Sequence, residues 1–355
     1  APPGEGGFNV RWSRQLTDRY EARFLPVQLS AAAFDLKRDR VYIGTTEGDL
    51  FGFALNGQRI FYYEAGAQIE SRPAVDARTG DVYFPGVDGT VHAITAGGQQ
   101  KWATKLIGAT RVQPVIGEEA IYVVSEHDVV RALALDDGRI LWTYAKEPVD
   151  EITIAGHAGM LLENGRLYAA FTDGAVAAIN PADGRLFWEV ETALDIERRP
   201  GNVPQFLDVD TTPVIVRGTM YVASFTAGLY ALNPTNGTVE WRDETFQGVT
   251  GIASAGRMLV ISSARRGVSL LDLRTREVQW EKAPERGAPT APIVTERGTV
   301  IYGETQGSLL ALSLADGREI ARAEGGAGFS ATPSAHGTYG GAISNGGRFL
   351  CLRLN

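Results

Sequence analysis

The residues of this chain that could do chemistry are few and scattered. Asp208 and Asp210 stand one residue apart in FLDVDTTPVI, directly before an apolar run. On an extended strand residues i and i+2 point to the same side, so two such carboxylates can share a proton, a cation or a protein partner. General acid/base pairs of the glycosidase kind usually come from separate elements that face each other across a cleft. Aspartate at a strand start also caps turns by accepting hydrogen bonds from backbone N–H groups. Local capping and a surface held by another protein are therefore the stronger readings, and catalysis the weaker.

The other candidates are thinner still. His92, His127, His157 and His336 fall far apart, with no second His, Cys or carboxylate at ligand spacing. A zinc site needs three or four such groups converging. TEGDL, from Thr46, has the look of a turn, not of a calcium loop, which needs a longer series of acids ending in glutamate. No GxSxG, HExxH, P-loop or CxxC motif occurs. Cys351, the single cysteine, lies in the apolar run FLCLRL and reads as a small core residue. No catalytic residue, metal site or cofactor is expected from these patterns.

The elements that must position these residues come from a repeat. VYIGTTEGDLFGFALNGQRIF from Val41 aligns with VYFPGVDGTVHAITAGGQQKW from Val82, and IYVVSEHDVVRALALDDGRILW follows from Ile121. Further copies begin at Leu167, Met220, Met258 and Val300, and a short last one at Gly341. Each full copy holds three apolar strands separated by Gly-containing turns, and an aromatic residue usually closes it. That aromatic recurs as Phe61, Trp102, Trp142, Trp188, Trp241 and Trp280, with Ala321 in the equivalent place. Pro73, Pro114, Pro213, Pro292 and Pro333 open most units, as proline is tolerated at the first residue of a strand. Turn pairs such as Asp137-Gly138 and Asp183-Gly184 supply the positive φ that tight hairpins need.

Four antiparallel strands per about 40 residues mark a β-propeller blade. Eight copies predict an all-β, eight-bladed propeller, with seven blades the alternative. The last copy lacks a strand, whereas FNVRWSRQL, around Trp12, is a strand with no unit of its own. The N-terminal strand is therefore expected to complete the last blade and remove two open sheet edges. Residues 1–7, APPGEGG, read as a flexible tether and residues 8–355 as a single propeller domain. The recurring tryptophans are expected to pack against the next blade.

Composition agrees with this reading. The 355 residues are 44% hydrophobic, and the net charge of −8 argues against a nucleic-acid partner. No apolar run approaches the ~18 residues of a membrane-spanning helix.

A regular scaffold carries function in its irregular connections. Two depart from the period: Lys146 to Met160 after Trp142, and Glu191 to Pro213 after Trp188. They flank one blade, so both are expected on one rim, side by side. In the first, Ile152 and Ile154 alternate with Glu151 and Thr153 and so share one face of an extended segment. Each would gain about 1.5–3 kcal/mol on burial by a partner. The second adds Arg198, Arg199, Asp208 and Asp210. An apolar anchor with a charged surround is the anatomy of a protein-binding site; the isoleucines tucked beneath their own loop are the other possibility.

The units ending ALALDDGRILW, AINPADGRLFW and ALNPTNGTVEW resemble the tryptophan-docking repeats of the quinoprotein (PQQ-dependent) dehydrogenase superfamily. Within it, the stretch from Phe8 to Leu354 is similar to the BamB family, propeller lipoproteins of the bacterial outer-membrane β-barrel assembly (BAM) machinery. DVDTTPVIVRG, Asp208 to Gly218, is the most specific match, and EITIAG, Glu151 to Gly156, the next. The resemblance implies a non-enzymatic scaffold, lipid-anchored at the periplasmic face of the outer membrane. It implies binding to the periplasmic POTRA domains of the insertase BamA and help in delivering unfolded outer-membrane proteins. Carried onto matching positions, the family's binding residues are Ile152, Ile154, Asp208 and Asp210. Ala155 stands where the family pattern has arginine, so that contact is missing or supplied by Arg198 or Arg199. The family's lipid-bearing cysteine does not occur in APPGEGG, so an anchor is implied only if a residue has been removed ahead of it. Two other classes remain open: a periplasmic propeller adaptor for a different partner, and an oxidoreductase using PQQ and calcium. Such enzymes are usually much longer and often place a vicinal disulfide over the cofactor, which one cysteine cannot form.

Overall fold

The computed structural model describes residues 7–18, 27–146, 158–192, 209 and 211–355, and in these the expected strands form. They make eight four-stranded antiparallel sheets, the blades of a propeller. Blade 1 spans residues 33–64, blade 2 74–105, blade 3 115–145 and blade 4 161–191. Blade 5 spans residues 214–243, blade 6 249–282 and blade 7 293–324. Blade 8 takes three strands from residues 334–354 and its fourth, Phe8–Gln15, from the other end of the chain. That strand pairs with Arg348–Leu354 from Phe8↔Leu354 to Gln15↔Arg348, and Asn355 N–H donates to Gly7 O at 2.9 Å. The ring has eight blades, closed as Trp12 suggested.

Within a blade the strands run a, b, c, d outward from the axis, and the first strands of neighbouring blades touch. The core is not one mass. It is divided into eight apolar clusters, each between two adjacent blades. Val41 and Ile43 of blade 1, for example, pack with Phe349 and Cys351 of blade 8. Cys351 is buried there, and burial pushes its thiol up to about 11, so it is inert. Strands b and c are continuous apolar runs because sheets cover both their faces, whereas d strands such as Leu186–Glu191 alternate at the outside.

The outer girdle explains the recurring tryptophan. Trp12, Trp102, Trp142, Trp188 and Trp280 each donate Nε1–H to a backbone carbonyl of the next blade, at 2.8–3.1 Å. The ring then lies on the glycine of that blade's c–d turn. A Cβ on Gly138 or Gly184 would come within 2.6 Å of Trp102 or Trp142, and both glycines hold a positive φ. Three junctions differ. At blade 2 the ring on the turn glycine, Gly98, is that of Phe61, which has no N–H to donate. At blade 6 the turn position is Arg276, itself at φ 60°, and its guanidinium lies 4.8 Å from the Trp241 ring centroid. At blade 8 the chain ends replace the c–d turn, and Gly7 abuts Ala321, the residue standing where tryptophan is expected. Blade 8 has no hairpin for an indole to rest on, which is why the aromatic series breaks at Ala321.

Candidate partner-binding rim

Antiparallel order puts b–c turns and d–a connections on one rim, and a–b and c–d turns on the other. Backbone bonds tie the first set together: Ala65 N–H donates to Gly48 O, Leu106 to Gly89 O and Thr192 to Gly174 O, at 2.8–3.1 Å. Both irregular connections are d–a connections, from blade 3 to blade 4 and from blade 4 to blade 5. Their described ends therefore leave and rejoin the propeller on the same rim, either side of blade 4, as the sequence led us to expect.

The departure of the first connection is fixed by charge. Lys146 follows strand Ile140–Ala145, and its Nζ pairs with the carboxylates of Asp173 and Glu189, the latter at 3.1 Å. All three side chains are largely buried, with 13%, 12% and 25% exposure. The ammonium also lies 5.6 Å from the centroid of the Phe171 ring. Tyr144 donates its hydroxyl to Glu189, and burial together with that carboxylate drives the phenol pKa upward. Across the same turn, Thr172 Oγ1–H donates to Asp128 at 2.6 Å.

The second connection is fixed by burial. It leaves through Thr192, whose hydroxyl donates to Gly174 O at 2.7 Å. At its return, Val209 forms an isolated bridge with Ser224, and its N–H donates to Phe171 O at 3.3 Å. Val209 is 2% exposed and joins the cluster of Tyr168, Met220 and Tyr230, a burial worth about 1.5–3 kcal/mol. Thr211 Oγ1 then accepts from Ala223 N–H at 2.8 Å, and Thr212 Oγ1 accepts from Gly159 N–H at 3.0 Å. Gly159 belongs to the return of the first connection, so the two returns are bonded directly to each other.

Phe171 thus joins both connections, its ring under Lys146 and its carbonyl on Val209. It begins the b–c turn of blade 4 and is itself 1% exposed. Sequence reasoning overlooked Lys146, Phe171, Val209 and Thr212. A lysine directly after a strand and a buried-type residue between two aspartates were the available signals.

Ile152, Ile154, Arg198, Arg199, Asp208, Asp210 and His157 lie outside the described residues. The remaining histidines are not brought together. His92 is buried in blade 2, stacked at 5.1 Å on Phe84 with Nδ1 3.0 Å from the Tyr63 hydroxyl, and burial lowers its pKa. His127 is exposed beside Glu126, and His336 is exposed in blade 8. Among the described residues no three His, Cys, Asp or Glu side chains are grouped as a metal site requires.

Eight four-stranded blades with an indole girdle and a built-up rim define the class: a propeller of the PQQ-like repeat type. The model of the family described as outer membrane protein assembly factor BamB matches residues 64–282, more than half of the chain, and the chain belongs to that family. It is 24% identical over 354 residues to the Bordetella pertussis protein of that name, covering 98% of this chain and 88% of the relative. The Yersinia pestis protein is 25% identical over 254 residues, which cover 70% of this chain and 62% of that relative. This chain thus spans under two thirds of the Yersinia relative's length. Among solved structures, BamB from Moraxella catarrhalis superposes with a TM-score of 0.82 at 20% identity, covering 98% of this chain and 100% of that one. The quinohemoprotein alcohol dehydrogenase from Comamonas testosteroni shares the fold with a TM-score of 0.73 at 12% identity, over 98% of this chain and 76% of its own.

Proposed function

We propose that this chain is a non-enzymatic scaffold subunit of the outer-membrane β-barrel assembly machinery. Its blade 3–5 rim binds the periplasmic POTRA domains of a BamA-like insertase and so assists outer-membrane protein insertion. The observation that carries this reading is the fastening of two overlong connections to one turn at Phe171, which presents them together. Ile152 and Ile154 supply the apolar anchor of that surface, Asp208 and Asp210 its paired negative charge, and Arg198 or Arg199 the positive charge that the family pattern has where Ala155 stands. The residues ahead of Gly7 act as a tether to a single domain, 8–355, held at the periplasmic face of the outer membrane. The names of the relatives, each an outer membrane protein assembly factor, support this setting.

Co-purification with the insertase's periplasmic domains is the test. The Asp208→Ala/Asp210→Ala pair and Ile152→Asp are each expected to weaken capture by about tenfold or more while the melting temperature stays within a degree or two. Unaltered capture with a large loss of stability would make the aspartates structural caps.

A further inference from the structure

A second feature of the same rim belongs to neither connection. Arg72 stands two residues before the first strand of blade 2, Ala74–Val75. The pairing registers place Ala31, Gln113, Gly159, Thr212, Ala291 and Thr332 at the same step of the other first strands that run without a bulge. Arg72 is the one charged residue in this series. The step lies where neighbouring first strands meet, as the bond from Gly159 N–H to Thr212 Oγ1 shows.

Among the described residues the buried Nε of Arg72 has no hydrogen-bond partner. Burial lowers its pKa, and among the described residues no carboxylate offsets that effect, although a guanidinium stays charged throughout the physiological range. The nearest acid in sequence, Glu70, is occupied by Arg111 Nη1 at 2.5 Å. The neighbouring Ser71 hydroxyl is buried and unpartnered as well, and the reason is visible. Hydroxyls at its position elsewhere accept a strand N–H: Ser30 from Gly44 at 3.2 Å, Thr211 from Ala223 at 2.8 Å and Thr290 from Gly303 at 2.9 Å. In blade 2 that strand position is Pro85, which has no N–H to give. A spare hydroxyl and a spare guanidinium Nε–H are therefore consecutive in the segment that leads into the first strand of blade 2.

A buried cation with no counter-charge is costly, and a planar guanidinium is best completed by a planar anion held through two parallel N–H bonds. One uncompensated positive charge asks for one negative charge. We propose that Arg72 and the Ser71 hydroxyl form a carboxylate-binding site at the junction of the first strands of blades 1 and 2, on the rim that carries the long connections. Its ligand is a free organic acid or the acidic side chain of an extended peptide. The site does not depend on docking of the insertase.

Nitrogen-15 spectra of the arginine Nε–H groups in the full chain provide the test. Acetate, succinate, an acidic peptide, its amidated neutral counterpart and inorganic phosphate are titrated separately. The Arg72 signal, identified by its loss in Arg72→Gln, shifts saturably with the carboxylates. By calorimetry, affinity falls about tenfold or more in that variant, as loss of a charge-assisted pair requires. Arg72→Met replaces the glutamine variant if the latter fails to fold. Saturation by acetate or succinate identifies a free acid as the ligand, and saturation by the acidic peptide alone identifies a side chain. The proposal is overturned if no carboxylate gives a saturable shift, if phosphate binds more tightly than every carboxylate, or if affinity survives loss of the guanidinium.

Discussion

The outer girdle and the blade 3–5 rim are built from the same repeat, yet they solve different problems. In the girdle one device is used over and over: an indole on a left-handed turn glycine, with its N–H on a carbonyl of the next blade. On the rim no two junctions are alike. Lys146 is held by two carboxylates and a ring, Val209 by burial and one bridge, and Gly159 by the Thr212 hydroxyl. Repetition serves closure, because every blade must meet its neighbour at the same angle. Irregularity on the rim fastens the described ends of two long connections around one turn, at Phe171.

Breaking the girdle should therefore cost stability without touching recognition. Trp102→Ala removes a nearly buried indole and its bond to Leu135 O, and is expected to cost about 3–5 kcal/mol in chemical denaturation. The protein that remains folded should capture its partner with unchanged affinity. A loss of affinity in parallel with stability would erase the division between the two regions.

Breaking the rim should do the reverse. Lys146→Met keeps the stem that packs on Phe171 but leaves Asp173 and Glu189 facing each other without their cation. Because the three groups keep some contact with solvent, the stability cost is expected at about 1–2 kcal/mol, below that of a fully buried pair. Partner affinity should fall further than that figure implies, since the base of the first connection is released. Equal affinity in the variant would show that Lys146 only closes blade 4.

The smallest effect sharpens the comparison through pH. His92 sits in the core of blade 2, away from the connections, and burial holds its pKa below the ordinary 6.5. The folded state thus binds a proton less readily than the unfolded chain. Stability is level above the ordinary value and declines as pH falls beneath it toward the depressed folded value. His92→Phe should flatten the histidine part of that decline, read as melting temperature against pH, with rim binding left alone. An unchanged slope would place the acid sensitivity elsewhere.

The girdle was readable in advance because its aromatic recurs at the equivalent place in successive units: Trp102 on the turn of Asp137-Gly138, Trp142 on that of Asp183-Gly184. So was closure, since Trp12 had a strand and no unit of its own. Two of the girdle's exceptions were not. Arg276 takes a glycine's place only because it can occupy φ 60°, and Ala321 follows from the meeting of chain ends at Gly7. The rim was half visible. Two overlong connections around one blade are a matter of counting, but their fastening depends on Asp173, Glu189 and Phe171, which folding alone brings to Lys146 and Val209. Arg72 is a similar case. Its significance appears only when the strand registers show that the hydroxyl beside it faces a proline.

Hydrogen exchange with and without the insertase's periplasmic domains tests the central claim most directly. The account predicts new protection in peptides spanning residues 144–160, 171–175 and 190–213, with the opposite-rim turns at 136–139, 181–185 and 234–238 unchanged. Protection of those opposite turns, with none around Phe171, would contradict it.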